Sequence, residues 1–252
     1  QFEEPFTTFR AHGLIMKDGA KMSKSKGNVV SPDEYIRAYG ADAVRMYLAF
    51  LAPLEQGGDF RDAGIRGVTR FLERVWGMGE HGMFLTKNIK NDAVLHLVHN
   101  TIKKVTEDIE NLQYNTAISS LMVLLRAFEE NPDAVLKGNW KIFLKLLAPF
   151  APYITEDLYQ KLNAISDKPK AFQSIHLEKW PLYDKKLIAE KTFELVVQVN
   201  GKVKDKFEIA TDISEEEAIQ LTFLREKVKV ILKGTSPRKT IFVPGRLLNI
   251  VL

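Results

Sequence analysis

The spacing of apolar residues changes once along the chain, and this change limits the folds that the sequence can adopt. Between residues 95 and 162, apolar positions recur every three or four residues, which places them on one side of a helix. From Phe193 to Ile209 they alternate, as in strands with one buried face. The intervening residues 164–190 have no clear period and contain Pro169 and Pro181, so we interpret them as an extended connector. The sequence therefore predicts a helical region, a connector and a small region with strands.

Several segments carry the helical spacing: residues 65–78, 95–112, 117–128 and 143–162. Pro149 and Pro152 divide the last of them, because proline interrupts a helix. Four or five helices with short connections predict an α-helical bundle.

The region after the connector predicts a small α+β unit. Asn200-Gly201 is a two-residue hairpin turn between two alternating segments. Ser214 and Glu217 form a capping box that opens a helix running to Lys233. Two closing strands follow at residues 239–243 and 247–252. This arrangement predicts a mainly α, multidomain chain with a small α+β end.

The first 60 residues combine a hairpin with two helices. Asp18-Gly19 predicts the tight turn of a hairpin within residues 13–22. The helix start at residues 31–34 has a capping residue in Ser31, proline at the first position, and Glu34 to complete a capping box. Gly40 ends this helix, and a second helix is predicted at residues 41–51.

Composition excludes several classes of protein. An apolar content of 45% with 27% charged residues is typical of a folded globular chain. The lack of cysteine excludes disulfides and thiolate metal ligands, and the five histidines are scattered, so we predict no metal site. The longest apolar run, residues 43–54, is too short to cross a bilayer, and we expect no membrane partner and a cytoplasmic location. The net charge of +4 is compatible with a polyanionic partner.

One loop concentrates positive charge on a flexible backbone. Lys21, Lys24 and Lys26 alternate there with serine and glycine. Compact ammonium groups suit phosphate oxygens, and mobile cations stabilise a leaving group on which negative charge builds up. The alternative interpretation is a solvated surface loop, which is the usual meaning of a run of charges.

The string KMSKS (Lys21, Met22, Ser23, Lys24, Ser25) matches the signature of class I aminoacyl-tRNA synthetases. The segments YGADAVRMYLAFLAP, LAPFAPYITEDLY and IHLEKWP resemble the leucine, isoleucine, valine and methionine subgroup of this family. The strings VVQVNGKVKDKFEI and IFVPGRLLNIVL resemble the end of bacterial leucyl-tRNA synthetases. The resemblance covers essentially the whole chain.

This resemblance implies a catalytic role for the loop. The family condenses leucine with ATP, with Mg²⁺, to leucyl-adenylate and pyrophosphate, and then transfers the leucyl group to tRNA(Leu); no tightly bound cofactor is implied. Lys21 and Lys24 are expected to contact the ATP phosphates, with Met22 seating the loop and Ser23 and Ser25 setting its conformation. Lys26 can be solvated, and Asn28 can simply hydrogen-bond the backbone of its own loop.

The resemblance also divides the chain into residues 1–63 with the KMSKS loop, an anticodon-binding-like bundle at 64–187 and a tRNA-binding unit at 188–252. The candidate phosphate contacts of the last unit are Lys202, Lys204, Lys206, Arg238, Lys239 and Arg246. Scattered solvated cations are the alternative, since Glu215, Glu216 and Glu217 show that this unit is not uniformly basic.

A second family signature, HIGH, is missing from the sequence, as is the editing domain; His12-Gly13 is not a match. The chain alone is therefore expected to be inactive and to need an N-terminal catalytic half, as a fragment or as a subunit of a split enzyme. The alternatives are a non-catalytic tRNA-binding protein derived from a synthetase, or part of an isoleucyl- or valyl-tRNA synthetase.

Overall fold

The computed structural model of the chain describes residues 5–81, 91–164, 172–188, 192–211, 213–232 and 235–252. Helices dominate, with two small sheets, which confirms the predicted mainly α class with sheet-containing parts. The chain divides into two units, Gln1–Ile188 and Ala189–Leu252. Across the described ranges, no helix combines the length and the apolar character needed to span a membrane.

Three short strands form the first sheet: β1 at Ile15–Lys17, β2 at Ala20–Lys21 and β3 at Gly58–Phe60. The predicted hairpin is confirmed, because β1 and β2 are antiparallel and both turn residues have positive φ, 54° at Asp18 and 73° at Gly19. Strand β3, which was not predicted, pairs in parallel with β1. Its three residues are too few to show an alternating pattern.

Two helices follow this hairpin, α1 at Pro32–Tyr39 and α2 at Ala41–Phe50, with Gly40 at φ 86° between them. Ser31 occupies the cap position, but its side chain makes no capping hydrogen bond, so the predicted capping box with Glu34 is wrong. Pro32 has no N–H to offer, and exposed donors of the first turn can bond to water.

Five helices form the predicted bundle: α3 at Asp62–His81, α4 at Asp92–Glu110, α5 at Tyr114–Glu130, α6 at Lys137–Leu147 and α7 at Pro152–Ala164. Phe128, Trp140 and Phe143 are fully buried at its centre, with the last two rings stacked at a centroid distance of 5.0 Å. The same apolar core includes Met46 of α2 and Ile65 of α3. The bundle therefore shares one apolar core with helix α2, and Met22 of the loop after β2 packs against the same core.

The connector is only partly extended. It contains a 3-10 turn at Ile175–Leu177 and a short helix α8 at Lys185–Ile188. Ile175 is buried in the bundle core, and the imidazole Nδ1 of His96 on α4 lies 2.7 Å from the carbonyl oxygen of Leu187. The prediction of an extended connector is wrong at these two elements, because contacts with the bundle order segments too short to have a period. Residues 165–171 and 189–190 of the predicted connector, including Pro169, lie outside the described part.

The second unit contains a four-stranded sheet under two helices. Its elements are β4 at Thr192–Val199, β5 at Lys202–Ala210, α9 at Glu215–Leu224, α10 at Glu226–Leu232, β6 at Lys239–Val243 and β7 at Leu247–Val251. The strand order is β5-β4-β7-β6, with β4 and β7 parallel. Alternate residues such as Leu195, Val197 and Leu248 are buried in a core with Val228 of α10.

The capping box of Ser214 and Glu217 is confirmed, but the single helix predicted from it is wrong. Arg225 has the extended ψ of 127° and separates α9 from α10. Its Nε donates to Asp205 at 2.9 Å, and its guanidinium lies 4.9 Å from the Phe207 ring centroid. A tertiary ion pair to a buried carboxylate therefore breaks the helix; the predicted end of the helix at residues 233–234 lies outside the described part.

Candidate functional site

The KMSKS loop leaves β2 at Lys21 and folds into one 3-10 turn at Lys24–Lys26. The turn is closed by two backbone bonds, Lys26 N to Ser23 O at 3.1 Å and Gly27 N to Lys24 O at 3.2 Å. Gly27 has φ 67°, a left-handed conformation that glycine adopts without strain. The tip of the loop is therefore a compact turn that carries Lys24 and Lys26.

The base of the loop is bridged by one side chain. Oδ1 of Asn28 accepts from the backbone N–H of Ser23 at 2.8 Å, and its Nδ2 donates to the carbonyl oxygen of Lys21 at 3.2 Å. The hydroxyls of Ser23 and Ser25 lie 2.8 Å apart and share a hydrogen bond. These polar contacts hold the backbone on both sides of Met22.

Met22 joins the loop to the interior of the first unit. Its side chain is half-buried and packs against the apolar core, as do Val30 and Tyr35. These residues line a cavity of about 210 Å³ together with Ile15 and Phe60. The loop thus has an apolar attachment through Met22, while its lysine side chains are exposed.

The side chains of Lys21, Lys24 and Lys26 are all exposed. The ion pairs closest to them along the chain join Lys17 to Asp62 and Arg61 to Asp59. Within the described residues, no carboxylate is paired with any of the three loop lysines. Their ammonium groups can therefore bind an anion without first giving up a protein partner.

A polar network that the sequence did not reveal holds the hairpin beside the loop. Asp59 accepts from the N–H of Gly19 at 3.0 Å and from Arg61, and these bonds lower the pKa of its carboxyl. Asp62 accepts from Lys17 at 2.8 Å and from the Tyr35 hydroxyl at 2.6 Å, which likewise lowers its pKa. Apart from the Arg61–Asp59 pair, these contacts join residues 27 to 45 positions apart, so no local pattern could indicate them.

A second group of lysines surrounds Glu178 in the connector. Glu178 pairs with Lys145 at 2.8 Å and Lys141 at 3.3 Å, and it accepts from the Tyr159 hydroxyl at 2.7 Å. Lys145 and then Tyr159 lower the pKa of this carboxyl to about 2. Both lysines are paired with Glu178, so this cluster joins the connector to the bundle. Sequence reasoning missed it, because its members lie on separate elements.

The predicted cations of the second unit are all exposed, but they do not form one patch. Lys206 pairs with Glu194 at 3.1 Å, while the other five have no carboxylate partner among the described residues. The strand register brings Lys202 and Lys239 to the same end of the sheet, where Arg238 N also bonds to Val251 O. Lys204 lies two residues beyond Lys202 on β5, and Arg246 lies in the turn between β6 and β7.

The described part of the chain also contains no group of three or more His, Asp or Glu side chains placed to hold a metal ion. The loop and the sheet end instead present exposed positive side chains, which are suited to anionic ligands.

Two family models match the chain. The anticodon-binding domain of tRNA ligase matches residues 91–219, just over half of the chain. The class I tRNA synthetases for isoleucine, leucine, methionine and valine match residues 1–60, which include the loop.

The relatives of the chain are longer proteins. A leucine-tRNA ligase of Thermotoga maritima is 42% identical over the whole chain, which corresponds to 32% of that protein. A leucine-tRNA ligase of Dehalococcoides mccartyi strain 195 is 40% identical over the whole chain and 31% of its own length. The chain thus spans about a third of the curated relatives it matches.

A solved structure shares the fold. The crystal structure of a LeuRS-tRNA-LeuAMS ternary complex from Agrobacterium radiobacter K84 aligns with 99% of this chain and 34% of that protein, with a TM-score of 0.81 and 28% sequence identity. Together with the family models, this similarity shows that the chain belongs to the anticodon-binding domain family of class I tRNA ligases.

Proposed function

We propose that the chain is the C-terminal part of a leucine-tRNA ligase and supplies the KMSKS loop and tRNA-binding parts of that enzyme. Two observations support this: identity of about 40% to leucine-tRNA ligases along the whole chain, and three loop lysines without carboxylate partners in the described structure. Identity at this level, to leucine ligases throughout, favours leucine over isoleucine or valine as the substrate.

The loop chemistry follows from where charge develops. In adenylate formation, a carboxylate oxygen of leucine attacks the α-phosphorus of ATP, and the bond to the bridging oxygen breaks as pyrophosphate leaves. Lys21 and Lys24 stabilise the negative charge that builds up on this leaving group more than they stabilise bound ATP, which lowers the barrier. Mg²⁺ enters with the ATP phosphates as part of the substrate.

The remainder of the chain serves tRNA. We assign residues 64–187 to the anticodon-arm side of the tRNA and residues 188–252 to its outer elbow, with residues 1–63 belonging to the catalytic core. In the last unit, Lys202, Arg238 and Lys239 are the preferred phosphate contacts, because they lie at one sheet end without carboxylate partners in the described part. Lys206 is a weaker candidate because Glu194 neutralises it.

The catalytic half that completes the site is a further partner. An apolar groove of about 400 Å³ beside β1 is lined by residues that include Leu14, Ile15, Leu48 and Leu54, each at least 36% exposed. Such a surface is suited to burial against another part of the enzyme. The cysteine-free composition is compatible with the cytoplasmic location that we propose.

The direct test combines this chain with the N-terminal two thirds of the Thermotoga maritima relative and measures leucine-dependent exchange between ATP and pyrophosphate. We expect exchange with leucine, little with isoleucine or valine, and none from either part alone. Lys24→Ala is the matched control. Proven association of the two parts without exchange would contradict the proposal, and tRNA binding in that case would favour a non-catalytic tRNA-binding protein.

A further inference from the structure

We propose that Asn28 is the positioning residue of the KMSKS loop: its amide holds the base of the loop so that Lys21 and Lys24 meet the leaving phosphate in a fixed place. This inference rests on the proposed adenylate chemistry. It assigns to Asn28, which lies outside the KMSKS string itself, a role that acts through the lysines rather than through contact with ATP.

The two hydrogen bonds of Asn28 act on both peptide groups that flank Met22. One bond accepts from Ser23 N at 2.8 Å and the other donates to Lys21 O at 3.2 Å. A single carboxamide can do both, because it carries an acceptor oxygen and a donor nitrogen in one plane. Together with the half-buried Met22, the bridge fixes the direction in which the chain leaves β2.

The other polar contacts within the described loop span three residues or fewer and do not bridge its base. The 3-10 turn at Lys24–Lys26 is held by bonds within the loop, and its lysine side chains are exposed. Without Asn28, the segment between β2 and α1 would sample many conformations, and few would place the ammonium groups correctly. Transition-state stabilisation is sensitive to such displacements, since about 1 Å of misplacement can cost about 100-fold in rate.

The chemistry also explains why an amide suits this position better than a carboxylate. Aspartate keeps the acceptor for Ser23 N–H but loses the donor to Lys21 O, and two oxygens would then face each other. Its negative charge would also attract Lys21 or Lys24 and compete with the phosphate for them.

The test measures pyrophosphate exchange in the reconstituted two-part enzyme with wild-type, Asn28→Ala, Asn28→Asp and Lys24→Ala chains and the double variant Asn28→Ala/Lys24→Ala. Asn111→Ala is the control, because it also removes an exposed side-chain bond to a backbone carbonyl, at 2.8 Å from Glu107 O. We expect Asn28→Ala to lower kcat about 10-fold or more with an unchanged KM for leucine, Asn28→Asp to lose at least as much, and Asn111→Ala to match wild type.

The double variant separates positioning from a general effect on folding. If Asn28 acts through Lys21 and Lys24, Asn28→Ala lowers kcat by less in the Lys24→Ala chain than in the wild-type chain, because the losses of residues that act together are not additive. Hydrogen exchange at the Ser23 amide, slow in wild type and fast in Asn28→Ala, checks the bridge directly. Wild-type kcat in Asn28→Ala, or losses that multiply in the double variant, would overturn the inference alone, whereas an inactive wild-type enzyme would overturn the proposed function.

Discussion

The lysines of the KMSKS loop and those around Glu178 are the same residue type in opposite environments. Lys21, Lys24 and Lys26 are exposed and without carboxylate partners in the described structure. Lys145, in contrast, is 15% exposed and donates both to Glu178 at 2.8 Å and to the carbonyl oxygen of Lys179 at 3.1 Å. Pairing, rather than positive charge alone, therefore separates a lysine that is available to a ligand from one that stabilises the fold.

The energetic consequences of losing each kind of lysine differ. Removing Lys145 leaves a largely buried carboxylate with fewer partners, which destabilises the folded state. Removing a loop lysine leaves no carboxylate of the described residues unpaired, so stability should hardly change while ligand chemistry does. Substitutions in the loop, at Glu178 and at the end of the C-terminal sheet test this separation between ligand binding and stability.

Lys24→Ala should have the largest effect. In the reconstituted enzyme we expect kcat for leucine-dependent exchange to fall about 100-fold, or about 2.7 kcal/mol of transition-state stabilisation, the usual cost of removing one preorganised donor. Lys26→Ala is the control within the same turn and should lose less than about 3-fold. Equal losses in the two variants would show that the overall charge of the loop, rather than position, determines its activity.

Glu178→Gln should destabilise the first unit by about 2 kcal/mol at pH 7. The substitution removes the carboxylate that pairs with Lys145 and Lys141 while keeping the shape of the side chain. The Glu178 pKa of about 2 lies below the ordinary 4.5, so its stabilising contribution is complete above about pH 4.5 and is lost as the pH falls toward 2. Urea unfolding of both proteins at pH 7, 4 and 3 measures this. A gap in stability that does not narrow with acid would contradict the assignment.

Substitutions at the end of the C-terminal sheet should have the smallest effect. We expect Lys202→Ala/Lys239→Ala to weaken tRNA binding about 2- to 10-fold and to reduce the slope of log affinity against log salt by about 2, one for each lost phosphate contact. Lys206→Ala, which removes a cation already paired with Glu194, is the matched control and should change little. A larger loss from Lys206 would reverse the distinction between paired and unpaired cations.

Local chemistry explains which parts of the fold could be predicted. The turns at Asp18-Gly19 and Asn200-Gly201 and the cap at Ser214 depend on neighbouring residues, and all three are present. The helix break at Arg225 and the connector turn at Ile175–Leu177 depend on distant partners, and both were missed. Ser31 shows the converse, because a correct capping residue need not form its bond when water is accessible.

The candidate loop was found from five consecutive residues, yet its geometry was only partly predictable. The sequence indicated the lysines and the possible local bonding of Asn28. It could not indicate that one amide bridges both sides of Met22, or that Asp59 and Asp62 restrain the hairpin, since these contacts exist only after folding.

The most direct test compares Lys24→Ala with Lys145→Ala in two measurements, leucine-dependent pyrophosphate exchange in the reconstituted enzyme and urea unfolding of the chain. We predict that Lys24→Ala loses about 100-fold in exchange with unfolding free energy within about 0.5 kcal/mol of wild type. Lys145→Ala should lose about 2 kcal/mol of stability while the folded protein retains exchange within about 3-fold. Wild-type exchange in Lys24→Ala, or loss of exchange without loss of stability in Lys145→Ala, would contradict the account.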